Sequence, residues 1–337
     1  MKILWLAIFV ALVSIARADD GPIAPKPLFR DPIQDGAADP TPIWNAREKK
    51  WFIFYTNRRA KTPASEAPGV TWVHGTKIGI AESSDLGATW HYRGIADVDY
   101  CNDEMTQWAP EVLEHAGVYH MYLTVVPGIF ADWNHPRDII HLTSDDLLKW
   151  KYQSTLNLAS DRVIDPCVKQ LPDGKWRMWY NNERDHKSIY YADSDDLNDW
   201  QDKGKAVHDQ PGEGPNVFRW HDRWWMLVDN WKGLGVYRSD DATKWERQTD
   251  YLLQTPGKGE DDGAIGQHPG VAVCGAPGNA AGNTRAYLFY FTHPGRRPGE
   301  KDPHELRRSS LQVVELQFKD GWLTCDRDQP THIKLTP

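Results

Sequence analysis

Short apolar runs rich in aromatic and branched residues recur along the whole chain, each bounded by turn residues. Trp51–Tyr55, Tyr119–Tyr122, Trp176–Tyr180, Trp224–Leu227 and Tyr287–Phe291 are of this kind. They are too short for helices and suit the covered, pleated surface of a β-strand. Each follows a briefer strand-like run: Thr41–Trp44, Glu111–Leu113, Cys167–Lys169, Asn216–Phe218 and Gly270–Val273. A proline lies at or just before the start of each briefer run, where no ladder donor is lost. These prolines, at 40, 110, 166, 215 and 269, are 70, 56, 49 and 54 residues apart. A repeat of about 50 residues is the size of one four-stranded propeller blade.

A second repeat is offset from the first. Ser84-Asp85, Ser144-Asp145, Ser194-Asp195 and Ser239-Asp240 each precede, after four residues, Trp90, Trp150, Trp200 and Trp245. Ser and Asp close turns by bonding nearby backbone amides, so this reads as one hairpin turn used four times. Asp173-Gly174 adds a hairpin signal. After Pro269 there are 68 residues, room for one more module and not two. The expected fold is all-β: a five-bladed β-propeller of four-stranded antiparallel blades around a central channel. It forms one domain over 19–337, with a strand ahead of Asp39 helping to close the ring. The loops near 60–70, 127–138, 256–263 and 275–284 read as insertions.

The first residues do not belong to this pattern. Lys2, an apolar run from Ile3 to Ile15 and Ala16-Arg17-Ala18 have the form of a signal peptide over 1–18. The chain is therefore expected to be secreted or periplasmic. Oxidising surroundings permit disulfides among Cys101, Cys167, Cys274 and Cys325, but four cysteines allow three pairings. The net charge of -8 argues against a nucleic-acid partner. No internal run approaches the ~18 apolar residues of a membrane span.

Charged residues at the module starts point to chemistry. Asp39, Asp165 and Glu213 stand in Ala-Asp-Pro, Ile-Asp-Pro and Glu-Gly-Pro; Glu111 follows Trp108-Ala109-Pro110, and His268 precedes Pro269. The innermost strand of every blade lines the propeller channel, so equivalent starts meet at one mouth. Carboxyl groups gathered there shift one another's ionisation. Trp44, Trp108, Trp133 and Trp231 lie close to these starts as sugar-stacking candidates, and Arg58, Arg59, Arg296 and Arg297 as cations for sugar hydroxyls or a uronate.

The order Asp-Pro, Trp-Ala-Pro-acid, Ile-Asp-Pro, Glu-Gly-Pro and a late His resembles the glycoside hydrolases of family 43 and their clan relatives, the arabinanases, arabinofuranosidases and β-xylosidases. The resemblance implies an inverting hydrolase of plant or algal poly- or oligosaccharides. Asp39 would be its general base, Glu213 its general acid and Asp165 the group that tunes their pKa. Trp108, Glu111 and His268 would contact substrate. His268 matches the channel His that in some members holds a central ion or water, so Ca2+ or another ion there is possible while no cofactor is required. Glu111 stands where Asp is usual, and Gln267-His268 where Gly-His is usual. The insertions after blades one and two favour a pocket and exo action. Two other readings stay open. One is a sialidase-like hydrolase, since Ser83–Trp90 matches an Asp-box turn; the other is a non-catalytic carbohydrate-binding propeller.

Overall fold

The computed structural model describes residues 21–275 and 284–337. The segment read as a signal peptide and most of the 275–284 insertion lie outside the described residues. Five antiparallel sheets follow one another in chain order. The blades begin with the inner strands Ala37–Asn45, Thr106–His115, Val163–Gln170, Glu213–Trp220 and Gln267–Cys274. Each inner strand touches the next, and the fifth touches the first, so the ring is closed. Four sheets have four strands. The second has five, because Asp97–Val98 adds in parallel to its outer edge at Lys149–Trp150. Among the described residues the one α-helix is Pro303–Arg307, and no helix is long and apolar enough to cross a membrane.

Closure differs from the expectation. Blade five takes all four strands from the C-terminal part of the chain. The N-terminal segment contributes isolated bridges instead, Phe29 to Leu311 and Ile23 to His332, along the edge of that blade.

The hydrophobic core is split into five main clusters, one at each blade interface. The turn tryptophans sit in these seams. Trp90, Trp150, Trp200 and Trp245 meet Phe289, Phe54, Tyr122 and Trp179 of the preceding blade edge-on, with ring centroids 5.4–6.4 Å apart. Trp322 fills the same role in blade five against Trp225, without the Ser-Asp turn that made the others visible in the sequence. Such pairs contribute about 0.5–1.5 kcal/mol beyond their area. The turns themselves are shifted by one residue from the sequence reading in blades two to four. The working pairs are Ser144 with Asp146, Ser194 with Asp196 and Ser239 with Asp241, and only blade one, with Ser83 and Asp85, carries an extra glycine. The reason is reach: a carboxylate two residues on from the serine accepts from both the backbone and the serine hydroxyl.

The five starts share one backbone device. The residue before each proline is left-handed: Asp39 (φ 55), Ala109 (φ 42), Asp165 (φ 59), Gly214 (φ 57) and His268 (φ 39). Strand register shifts at the same point in every blade. A residue before proline is normally extended, so this is a strained bulge repeated five times. The bulge frees a backbone N–H, and in blades two to five the preceding blade supplies its acceptor. Ala109 N–H donates to Thr56 Oγ1 (2.8 Å), Asp165 N–H to Thr124 Oγ1 (3.0 Å), Gly214 N–H to Asp165 Oδ2 (2.9 Å) and His268 N–H to Asp229 Oδ2 (3.1 Å).

Gly214 is glycine for a second reason. A Cβ there would fall 2.8 Å from His268 Nδ1. Gly214→Ala should therefore cost about 1–3 kcal/mol in backbone strain and crowding. A lower urea midpoint is expected, and an unchanged one would show that the imidazole yields freely.

Candidate active site

The bulges turn side chains into one cavity of about 540 Å³ at the mouth of the channel. Two rings of positions line it. From the inner strands come Trp108, Ile164, Glu213 and Gln267, one residue before the left-handed position, and Asp39, Asp165 and His268 at it. From the ends of the second strands come Arg58, Glu183, Trp231 and His293. These lie two residues beyond the partners of Ala38, Ile164, Glu213 and Gln267, so they too are equivalent. Loops add Trp72 and Val73 from blade one, Trp133 and Arg137 from blade two, and Arg162, Lys187 and Arg296.

Asp39, Asp165 and Glu213 are thus brought together, in three different environments. Asp39 is buried, and Arg58 Nη2 donates to its Oδ1 at 3.1 Å and Oδ2 at 3.4 Å, while His268 Nδ1 is 3.3 Å from Oδ1. Burial works to raise its pKa, but the Arg58 and His268 charges and hydrogen bonds from Thr56 and Arg58 outweigh it and hold Asp39 below its usual value. Asp165 is also buried and has no cation against it. Burial, then the charges of Glu213 and Asp39, push it well above the carboxylate range. Glu213 is the most open of the three, its side chain 27% exposed. Trp231 Nε1 donates to its Oε1 at 3.0 Å, and Lys187 Nζ stands 3.5 Å from Oε2. Burial falls on Asp39, on Asp165 and on a fourth acid.

That acid is Asp229, which the sequence reading missed. It lies opposite Glu213 in the strand register. Its Oδ1 accepts from Trp231 N–H at 2.8 Å and its Oδ2 from His268 N–H. The repeat held the signal, because Thr56 and Thr124 occupy the corresponding places in blades one and two. Glu183 was missed as well. It gathers Lys187 (2.8 Å), Arg137 (2.8 Å) and Arg162 (3.8 Å) along one wall.

Other expected residues divide. Trp108 lines the cavity, its Nε1 donating to Val73 O at 2.6 Å and its ring under Arg137. Trp133 and Trp231 line it too, whereas Trp44 packs on Trp51 in the seam between blades five and one. Glu111 does not reach the cavity. It is buried, its Oε1 accepting from Val168 N–H (3.0 Å) and Lys169 Nζ (2.8 Å), and it ties blade two to blade three. Its place after the proline turns it away from the mouth. Arg59 caps the carbonyls of His74 and Thr71, and Arg297 pairs with Glu300 at the surface. His268 is committed to Asp39 and Asp229, and no group of three or more metal-ligating side chains gathers among the described residues. The four cysteines are all unpaired.

Burial, then the Glu213 charge, raise Asp229 from 3.8 to about 7. Its folded-state pKa lies above the unfolded value, so the stability it contributes is complete below pH 3.8 and is lost as pH rises through about 7. Asp229→Asn removes that loss. Melting curves of the two proteins should diverge across this window, the wild type falling relative to the variant, and parallel curves would show that Asp229 is ionised when folded.

Solved structures of similar shape share this architecture. A thermostable family 43 glycoside hydrolase superposes with a TM-score of 0.63 at 18% identity, over 90% of this chain and 97% of its own. A family 43 β-1,3-galactosidase with galactodeoxynojirimycin gives 0.60 at 16%, over 92% and 99%. The GH43_1 enzyme from Xanthomonas citri complexed with xylose gives 0.58 at 14%, over 86% and 89%. At these identities the likeness is one of fold. The Asp-box turn Ser83–Trp90 contributes nothing to the cavity, and the ring has five blades. Residues 28–259 match the model of the family 43-related domain described as "Probable glycosyl hydrolase domain". The chain belongs to the family 43-related glycosyl hydrolases and is a glycoside hydrolase.

Proposed function

We propose that the protein is exported and hydrolyses plant or algal poly- or oligosaccharides by a single displacement with inversion, Asp39 acting as general base, Glu213 as general acid and Asp165 as the group that tunes both. The observation that carries this reading is the contrast among three carboxyl groups lining one cavity: Asp39 held below its usual pKa by Arg58, Asp165 pushed well above it by burial, and Glu213 open to the mouth. Inversion needs an ionised group on one face of the sugar and a proton donor on the other.

In this mechanism Asp39 takes a proton from the attacking water. His268 and Arg58 orient it. Glu213 protonates the leaving oxygen, and Lys187, 3.5 Å from Oε2, faces the charge left behind. Asp165 accepts the N–H of Gly214, the residue after Glu213, and so holds the acid's backbone as well as its electrostatics. Its ionisation is coupled to both partners. Trp108, Trp133 and Trp231 offer faces for sugar rings. The loops carrying Trp72 and Trp133 wall the mouth, which supports a pocket and exo action. No metal enters these steps. The apolar run Ile3–Ile15 before Ala18 supports export.

Chromogenic glycosides and plant and algal polysaccharides, with product sizing, test the substrate. Glu213→Gln tests the mechanism. Natural glycosides, with poor leaving groups, should lose about 10²–10⁴-fold in kcat, and activated aryl glycosides far less. Asp39→Asn should abolish turnover of both. Equal losses for Glu213→Gln on the two substrate types would mean that another group donates the proton.

A further inference from the structure

We propose that the natural substrate carries an anionic group, a carboxylate or a sulfate ester, close to the scissile bond, and that Arg296 binds it. The inference rests on the hydrolase reading above and names its substrate class.

The argument starts from the pairing of charges around the cavity. Arg58 is answered by Asp39 at 3.1 Å. Arg137 and Arg162 are answered by Glu183, and Lys187 by Glu183 and Glu213. Arg296 alone among these cations forms no ion pair with the described residues. Its Nε donates to the carbonyl of Leu306 at 3.0 Å, and the charge that acts on it is that of Arg58, of the same sign. Two guanidinium groups therefore face one cavity with a single carboxylate, Asp39, between their needs. Five cationic side chains line the cavity against four carboxyl groups, and burial pushes the pKa of one of these, Asp165, well above its usual value. The chain as a whole is acidic, at -8, so this local excess runs against its composition.

The cluster is built rather than draped over the surface. His293 Nδ1 donates to the carbonyl of Arg308 at 2.9 Å, so its Nε2 accepts from Arg58 Nη1 at 3.3 Å, which requires a neutral ring. The Arg58 guanidinium lies 4.7 Å from the Phe291 ring centroid. Behind Arg296 the turn is tight. A Cβ on Gly295 would fall 2.1 Å from the carbonyl oxygen of Glu305, and Arg296 N–H donates to His293 O at 3.1 Å. The run Thr292-His293-Pro294-Gly295-Arg296 thus fixes where the guanidinium stands, while Arg296 keeps its exposure to the solvent of the mouth. The next residue, Arg297, shows the contrast: it points outward and pairs with Glu300. A planar guanidinium fork matches carboxylate and sulfate oxygens. Neutral hydroxyls would leave the second cation uncompensated.

Calorimetric titration of the whole protein with matched sugars tests this. The probes are galactose, glucose, galacturonate, glucuronate, galactose 6-sulfate and inorganic sulfate. One anionic class should bind at least about tenfold more tightly than its neutral counterpart, as charge-assisted hydrogen bonds imply. The uronate and sulfate arms identify the source of the charge. Arg296→Gln should erase the discrimination and Arg296→Lys should keep part of it, both with wild-type circular dichroism. Rising salt should weaken the anionic arm only. Equal binding of charged and neutral sugars, or inorganic sulfate binding as well as the sulfated sugar, would overturn the proposal. If neutral glycosides are nonetheless hydrolysed, the hydrolase reading survives that failure. Arg296-dependent binding of an anionic sugar without hydrolysis of any glycoside would instead support the site and sink the hydrolase reading.

Discussion

The structure depends on what happens to the backbone N–H before each proline of the inner strands. A left-handed residue there breaks the ladder, and the freed donor is buried at the centre of the ring. An unsatisfied buried amide costs on the order of 1–3 kcal/mol, so each must find an acceptor. In blades two to five Thr56, Thr124, Asp165 and Asp229 provide it, in each case from the blade before. The same hydrogen bonds that stitch neighbouring blades thus hold Asp165 in the cavity and Asp229 behind it, against Glu213 and His268. Structural and chemical demands meet in Asp165 and Asp229, which is why both are buried in a position where an anion is disfavoured.

The electrostatic plan follows. Burial works to raise the pKa of the three enclosed acids, Asp39, Asp165 and Asp229. Arg58 reverses that for Asp39 and for no other, because the second strand of blade one is the one that ends in an arginine directed at the axis. The corresponding places in the other blades are Val126, Glu183, Trp231 and His293. Blade identity is therefore written twice, once at the bulge and once at the end of the second strand. The two positions together decide which carboxyl group is held below its usual pKa and which is pushed above it.

Much of this was legible from the sequence. Proline spacing and aromatic runs were enough for five blades, since a blade is a local unit. Asp39, Asp165 and Glu213 could be aligned because each adjoins an inner-strand proline, although Glu213 stands one residue earlier than the other two. Asp229 and Glu183 escaped because they sit in second strands, whose register with the first is set by the bulge and cannot be counted without it. Glu111 was misplaced for the same reason, being one residue past the proline instead of at or before the left-handed position. The Ser-Asp turns were read one residue out where two aspartates are adjacent, as in Asp145-Asp146. The N-terminal segment, read as a strand that helps to close the ring, makes single bridges instead, Phe29 meeting Leu311 while Trp322–Thr324 pairs with the far end of the same strand at Gln317–Lys319.

The central claim is that Asp39 and Glu213 act from opposite sides of one sugar ring in a single displacement. Proton NMR of the anomer first released, recorded before mutarotation, tests this most directly. The account predicts that the new hemiacetal has the configuration opposite to that of the bond cut. First release of the retained anomer would contradict it, because retention requires a covalent or paired double displacement that an Asp39 held against Arg58 and activating water does not perform.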